Sequence, residues 1–113
     1  MSDNRLVVVW SSADPDVAHN MVFMYTRNAK KRGWFDDVVL IVWGPSSALL
    51  VSDESLQQEI TEMMEIGVEV MACRKCAENY CVHDQLLALG VDSIYIGETL
   101  SNFIKEGRHV LTF

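Results

Sequence analysis

Long apolar runs are missing from this chain. Half of its residues are hydrophobic, yet no stretch approaches the roughly 18 that a membrane-spanning helix needs. Basic charge is also scarce: nine Lys and Arg stand against 16 Asp and Glu, a formal net charge of −7. Phosphate backbones are bound by concentrated basic surfaces, so nucleic acid is excluded as an expected partner, and so is a membrane. The only basic run, Lys30-Lys31-Arg32, reads as a solvated helix end, where cations suit the macrodipole. Phosphate-cradling Gly-x-Gly-x-x-Gly and Gly-Lys-Ser/Thr signatures are absent, as is Gly-x-Ser-x-Gly. Nucleotide binding and serine-hydrolase chemistry therefore have no motif behind them, and no cofactor is expected. The start, Met1-Ser2-Asp3-Asn4, has neither the basic n-region nor the short apolar stretch of a secretory signal. Three cysteines make an odd number, which suits free thiols in a reducing cytoplasm better than a disulfide scaffold.

What is present is alternation. Gly33, Gly67, Gly90 and Gly107 each close a helical segment and are soon followed by an apolar run. This is the left-handed cap position, where glycine carries no Cβ penalty. Four such stops imply repeated helix-to-strand returns and hence a parallel α/β sheet. Leu6–Trp10 and Val38–Trp43 are continuously apolar, the mark of central strands covered on both faces. The runs Val68–Ala72, Ser93–Ile96 and Val110–Phe113 are shorter or more mixed and are expected nearer an edge, making five strands. No repeat, linker or low-complexity stretch interrupts residues 1–113, so one domain is expected.

The helices can be placed from their ends. Asp14 suits an N-cap, Pro15 the first helical position and Asp16 the positive first turn. From there Val17, Met21, Met24 and Tyr25 are predicted to face the sheet. Val22 and Phe23 widen the apolar surface, through contact with a partner subunit or through deeper burial in the same chain. A second helix over Glu54–Ile66 places Leu56, Ile60, Met63 and Met64 on one face. Gly44–Leu50 reads as a loop with one short helical turn, and Leu100, Phe103 and Ile104 give a short amphipathic helix before the last strand.

The chemistry concentrates at Cys73-Arg74-Lys75-Cys76, where a strand runs into a helix. Ligands gather beyond the carboxyl ends of parallel strands. A helix start and two adjacent cations are expected to favour the thiolate, which is the nucleophile and metal ligand. The alternative for Cys73 is a buried structural cysteine. Cys76, three residues on, shares a helix face with Cys73 and would permit a disulfide or the resolution of a persulfide; structural occupancy is the alternative there too. Cys81 and His83 complete Cys-x2-Cys-x4-Cys-x-His, a tempting zinc string. At about 100° per residue, however, a continuous helix would splay Cys76 and Cys81 to opposite sides of Cys73. Cys81 is therefore read as a helix-end core residue, and no metal ligand is assigned. His19, one turn into the first helix, is a candidate acid–base or polar partner for Cys73, with a structural histidine as the alternative. Trp43, Pro45 and Ser46 follow the second strand and are candidate walls of the same cleft; Ser46 could instead cap the following turn.

These landmarks resemble the DsrE/DsrF-like family of small α/β proteins. The matching residues are Leu6–Trp10 with a helix from Asp14, then Trp43-Gly44-Pro45-Ser46, and Gly67–Cys73 delivering a cysteine to a helix. Gly90-Val91, Gly97-Glu98-Thr99-Leu100 and Gly107–Phe113 close the pattern. The resemblance implies a flavodoxin-like three-layer α/β/α sandwich around a mainly parallel five-stranded sheet, assembled as a homo-oligomer such as a trimer or hexamer. It also implies a sulfur-carrier or sulfurtransferase-like role, with a persulfide on Cys73 and a protein as sulfur donor or acceptor. Two departures stand out: Cys76 adds a thiol, and Cys81 occupies a position where the family pattern has glycine. The competing expectation is an oligomeric binding module without turnover, using the same cleft for a small ligand or a soft metal such as zinc.

Overall fold

A computed structural model describes residues 4–113; the acidic start over residues 1–3 lies outside them. Five strands, β1 (Arg5–Trp10), β2 (Asp37–Val42), β3 (Glu69–Cys73), β4 (Asp92–Ile94) and β5 (His109–Thr112), form one sheet in the order β4-β3-β2-β1-β5. Every pairing is parallel, with Val8 opposite Leu40 and Leu40 opposite Val70. β3 is thus an interior strand, and β4 and β5 form the edges. Its shorter, more mixed run had suggested a place nearer an edge; its polar residue, Glu69, is the exposed first residue of a strand otherwise buried.

Between the strands run α1 (Pro15–Val17), a π-helical stretch (Ala18–Phe23), α2 (Met24–Lys31), α3 (Ser46–Ser52), α4 (Glu54–Glu65), α5 (Arg74–Asn79), α6 (His83–Ala88) and α7 (Ile96–Lys105). From β1 to β4 each strand is added on the same side of the last, and the chain then doubles back to set β5 beside β1. Parallel crossovers are right-handed. Among the described residues, the helices before β4 therefore lie on one face of the sheet, and α7 alone lies on the other.

Side-chain alternation along the strands separates two cores. Leu6, Val8, Trp10, Val38, Leu40, Val42, Val70 and Ala72 join Phe23, Leu50, Leu56, Ile60, Met63 and Leu86 in the larger one. Val7, Val9, Val39, Ile41, Met71 and Cys73 join Ile96 in the smaller, with Leu100 and Phe103 packed against it. The three-layer sandwich is real but lopsided. Among the described residues, no helix is long and apolar enough to cross a membrane.

Local signals explain most boundaries. The Asp14 carboxylate accepts from Asp16 N–H at 2.8 Å, and Pro15 opens α1. Asp53 caps α4 by accepting from the N–H groups of Ser55 and Leu56 at 3.0 and 3.2 Å. Glycines 33, 67, 90 and 107 all have positive φ. At Gly67 a Cβ would also stand 3.0 Å from Lys30 Cε. α3 is longer than the single turn expected, with Ser46, Ser47 and Leu50 buried along it.

The first helical segment departs from the predicted phase. Val22 and Phe23 are fully buried, whereas Met21 and Met24 are 49% and 50% exposed. The stripe that meets the sheet is Ala18, Val22, Thr26 and Ala29, a helical spacing one residue on from the expected one. The wider π-helical turn over Ala18–Phe23 brings Phe23 towards the same face. Phe23 then meets Trp10 edge-on, ring centroids 4.9 Å apart at 75°. Phe23→Ala is expected to cost about 3–5 kcal/mol in urea unfolding, and Met21→Ala no more than about 1 kcal/mol. Equal losses would contradict the observed phase.

Candidate functional site

Cys73 is the last residue of β3, and strand alternation aims its side chain into the smaller core beneath α7. Its backbone is extended (φ −69°, ψ 111°), and it is the N-cap of α5, with Sγ accepting from Cys76 N–H at 3.4 Å. Sulfur is a weak acceptor where Ser, Thr, Asp or Asn is usual. Cys73 is only 5% exposed. Trp43 and the half-buried Cys76 pack against the same cluster.

This environment reverses the expectation of a stabilised thiolate. Burial pushes the Cys73 thiol up from its ordinary pKa, and the adjacent Cys76 thiol adds to the rise; the N–H groups of Cys76 and Lys75 pull the other way. α5 has six residues, too short to present a full macrodipole. The Arg74 guanidinium is turned aside, 5.3 Å over the Tyr95 ring and 3.8 Å from Glu78, whose carboxylate also accepts from Tyr95 Oη at 3.2 Å.

The other candidates are spread out. Ser46 is buried and does not cap α3; its hydroxyl donates to Trp10 O at 2.5 Å and lies 3.1 Å from Trp43 O, tying the ends of β1 and β2 together. Pro45 stands exposed at the start of α3. His19 belongs to a polar chain with α4: Nδ1 is 2.5 Å from Glu59 Oε2, and Nε2 is 3.5 Å from Ser55 Oγ. Arg27 holds the other Glu59 oxygen at 2.8 Å, and Ser55 donates to Asp53 at 2.6 Å. The Ser55 hydroxyl and the Leu56 N–H hold the Asp53 carboxyl below the usual carboxylate range. This chain lies on the larger-core face, so the sheet stands between His19 and the Cys73 side chain.

The zinc string does not converge. Cys81 is exposed, not a core residue, because the chain turns there through a left-handed conformation (φ +59°). That conformation explains why a glycine suits the position. His83 Nδ1 lies 2.8 Å from Ser93 Oγ. Among the described residues, no three His, Cys, Asp or Glu side chains are grouped to hold a metal ion.

In doubly wound folds ligands bind where neighbouring strands send their following helices to opposite faces. Here those strands are β3, followed by α5 on the larger-core face, and β4, followed by α7 on the other, which puts the crevice at the carboxyl end of β3 beside Cys73. At the other side of the sheet Ser11 N–H and Oγ both donate to Phe113 O, at 2.8 and 2.9 Å, and tie the end of β5 to β1. The thiol pair at the end of β3 is the candidate chemical centre.

A model of the DsrE/DsrF-like family matches residues 5–113. The chain belongs to that family. Among solved structures it is similar to a conserved protein of unknown function, BT1422 from Bacteroides thetaiotaomicron. The two are 34% identical with a TM-score of 0.93, over 97% of this chain and 95% of that one. No curated protein matches.

In this DsrE/DsrF-like protein the site also contains residues that sequence spacing did not flag: Tyr95 and Glu78, which hold Arg74, and Ile96, Leu100 and Phe103, which cover Cys73. The helical spacing of Leu100 and Phe103 was visible, but the face on which their helix packs follows only from the strand order. Alkylation with iodoacetamide near neutral pH should modify exposed Cys81 first and Cys73 last, at least about tenfold more slowly. Because the buried thiol ionises late, its rate should keep climbing with pH after that of an ordinary thiol has levelled. Preferential labelling of Cys73 at neutral pH would contradict this environment.

Proposed function

We propose that this protein is a relay-type sulfur carrier that holds sulfur as a persulfide on Cys73, with Cys76 as the resolving thiol. Family membership supports a sulfur-relay-type role. The observation that carries the residue assignment is the direct contact of Cys76 N–H with Cys73 Sγ at the β3–α5 junction. In the loading step the Cys73 thiolate attacks the outer sulfur of a donor persulfide, R–S–SH. The Cys73–S–SH bond forms, the donor S–S bond breaks, and the donor leaves as R–S⁻. In resolution the Cys76 thiolate attacks the inner sulfur, forms the Cys73–Cys76 disulfide and releases HS⁻.

A buried, protonated Cys73 suits a carrier better than a high-turnover enzyme. Its thiol reacts when a partner docks and opens the cover, and the apolar wall of Trp43, Ile96 and Leu100 keeps water from the stored sulfur. Donor and acceptor are accordingly proteins, and free thiols suit a reducing compartment such as the cytoplasm. The binding-module reading has less support, since the protein's own side chains pack around Cys73 and, among the described residues, no grouped His, Cys, Asp or Glu side chains could hold a metal ion.

Intact mass after exposure to a persulfide donor tests the proposal. Wild type should gain about 32 Da in a DTT-sensitive form, and Cys73→Ser should gain nothing there. Cys76→Ser should load and then lose its sulfur more slowly. Retention of the full gain in Cys73→Ser would overturn the assignment.

A further inference from the structure

We propose that the free edge of β5 and the groove beside it form a two-fold contact with a second copy of this chain, a reading independent of the sulfur chemistry. The groove, about 410 Å³, lies between the first helical segment and β5, and Met21, Met24, Tyr25, Trp34, Leu111 and Phe113 provide its apolar lining. Met21, Met24 and Trp34 are 49%, 50% and 52% exposed. The stripe Ala18, Val22, Thr26 and Ala29 faces the core, so the two methionines point outward and add to an exposed apolar surface.

Backbone geometry indicates what fits there. Phe113 N–H donates to Val9 O, and Phe113 O accepts from Ser11 N–H, so Phe113 bonds to β1. By alternation along β5, Leu111 and His109 do the same, and the N–H and C=O groups of Val110 and Thr112 point away from the sheet. Among the described residues no strand pairs with them. A partner must therefore present a strand edge, and β5 itself is complementary to β5 about a two-fold axis at Leu111. Val110 of one copy then pairs with Thr112 of the other through both backbone bonds, and the reverse pair repeats it. The other edge, β4, has three residues and begins with the exposed Asp92, a poorer match for a head-to-tail contact.

Charge points the same way. A two-fold axis brings each residue near it against its own copy, so any charge there meets its like. In a chain of net charge −7, the groove is lined by no charged side chain; Asn20 and Asn28 are its polar members. A partner recognised by charge has nothing to read there, whereas a second acidic copy meets the surface where repulsion is least. Leu111, opposite Val8 in the register, lies on the groove side, so the two grooves merge over the joined strands.

Light scattering across a concentration series should give twice the 12.8 kDa chain mass, falling towards the monomer on dilution. Val110→Pro deletes an outward N–H without touching the bonds to β1, and Met24→Lys puts like charges into the groove. Each should weaken association at least about tenfold with unchanged far-UV circular dichroism, while Ile104→Lys on exposed α7 leaves the mass alone. In a Cys81→Ser background, Leu111→Cys should cross-link to a covalent dimer under a mild thiol oxidant, since a non-hydrogen-bonded antiparallel pair sets its Cα atoms about 4.5 Å apart. A monomer at every concentration, which would leave the groove to another partner, overturns the proposal. So does a threefold mass, or a Leu111→Cys variant that associates without cross-linking.

Discussion

The return of the chain after β4, which carries β5 across the sheet to lie beside β1, is the constraint on which the rest of this molecule depends. A right-handed crossover made in the reverse direction must pass over the opposite face, so α7 is the one helix there among the described residues. The strand face carrying Val7, Ile41, Met71 and Cys73 would otherwise be open to water. It is dry because Ile96, Leu100 and Phe103 descend onto it. The same return makes β5 an edge strand and leaves the groove beneath the first helical segment without a neighbour.

For the thiol the consequence is a competition between two effects. Backbone N–H groups at the start of α5 favour the anion, as at any helix start, but only by the amount that two donors and a six-residue helix provide. Removing the sulfur from water disfavours the anion more, and the net direction is upward. Arg74 does not redress the balance, because Tyr95 and Glu78 hold its charge over the surface. Reactivity at Cys73 is therefore controlled by access, and access is controlled by α7.

The strand count, parallel grammar and glycine stops were legible in the sequence because each rests on a local rule: apolar runs, caps and left-handed turns. The junction of a strand with Cys73 was legible for the same reason, as was Asp14-Pro15 at the start of α1. Three features were not. The exposure of Met21 and Met24 depends on which of two overlapping helical stripes turns to the sheet, and the apolar run Met21–Tyr25 offers residues to both. The protonated state of Cys73 depends on which helix covers it, a property of strand order. His19 pairs with Glu59 and Ser55 across 36 to 40 positions of sequence, and no local pattern announces such a contact. Cys81 lies between these cases: the resemblance implied a glycine there, and the backbone turns through positive φ at that position.

The central claim, that α7 governs Cys73, is tested most directly by loosening that helix without touching the cysteine. Leu100→Ala removes part of the cover, and Ile60→Ala removes comparable volume from the opposite core; either truncation costs up to about 2–5 kcal/mol of stability. With the two variants compared at matched stability, thiol labelling of Cys73 should accelerate several-fold in Leu100→Ala and stay near the wild-type rate in Ile60→Ala. Equal rates in the two variants would show that Cys73 reacts only through global unfolding and would contradict the role assigned to α7.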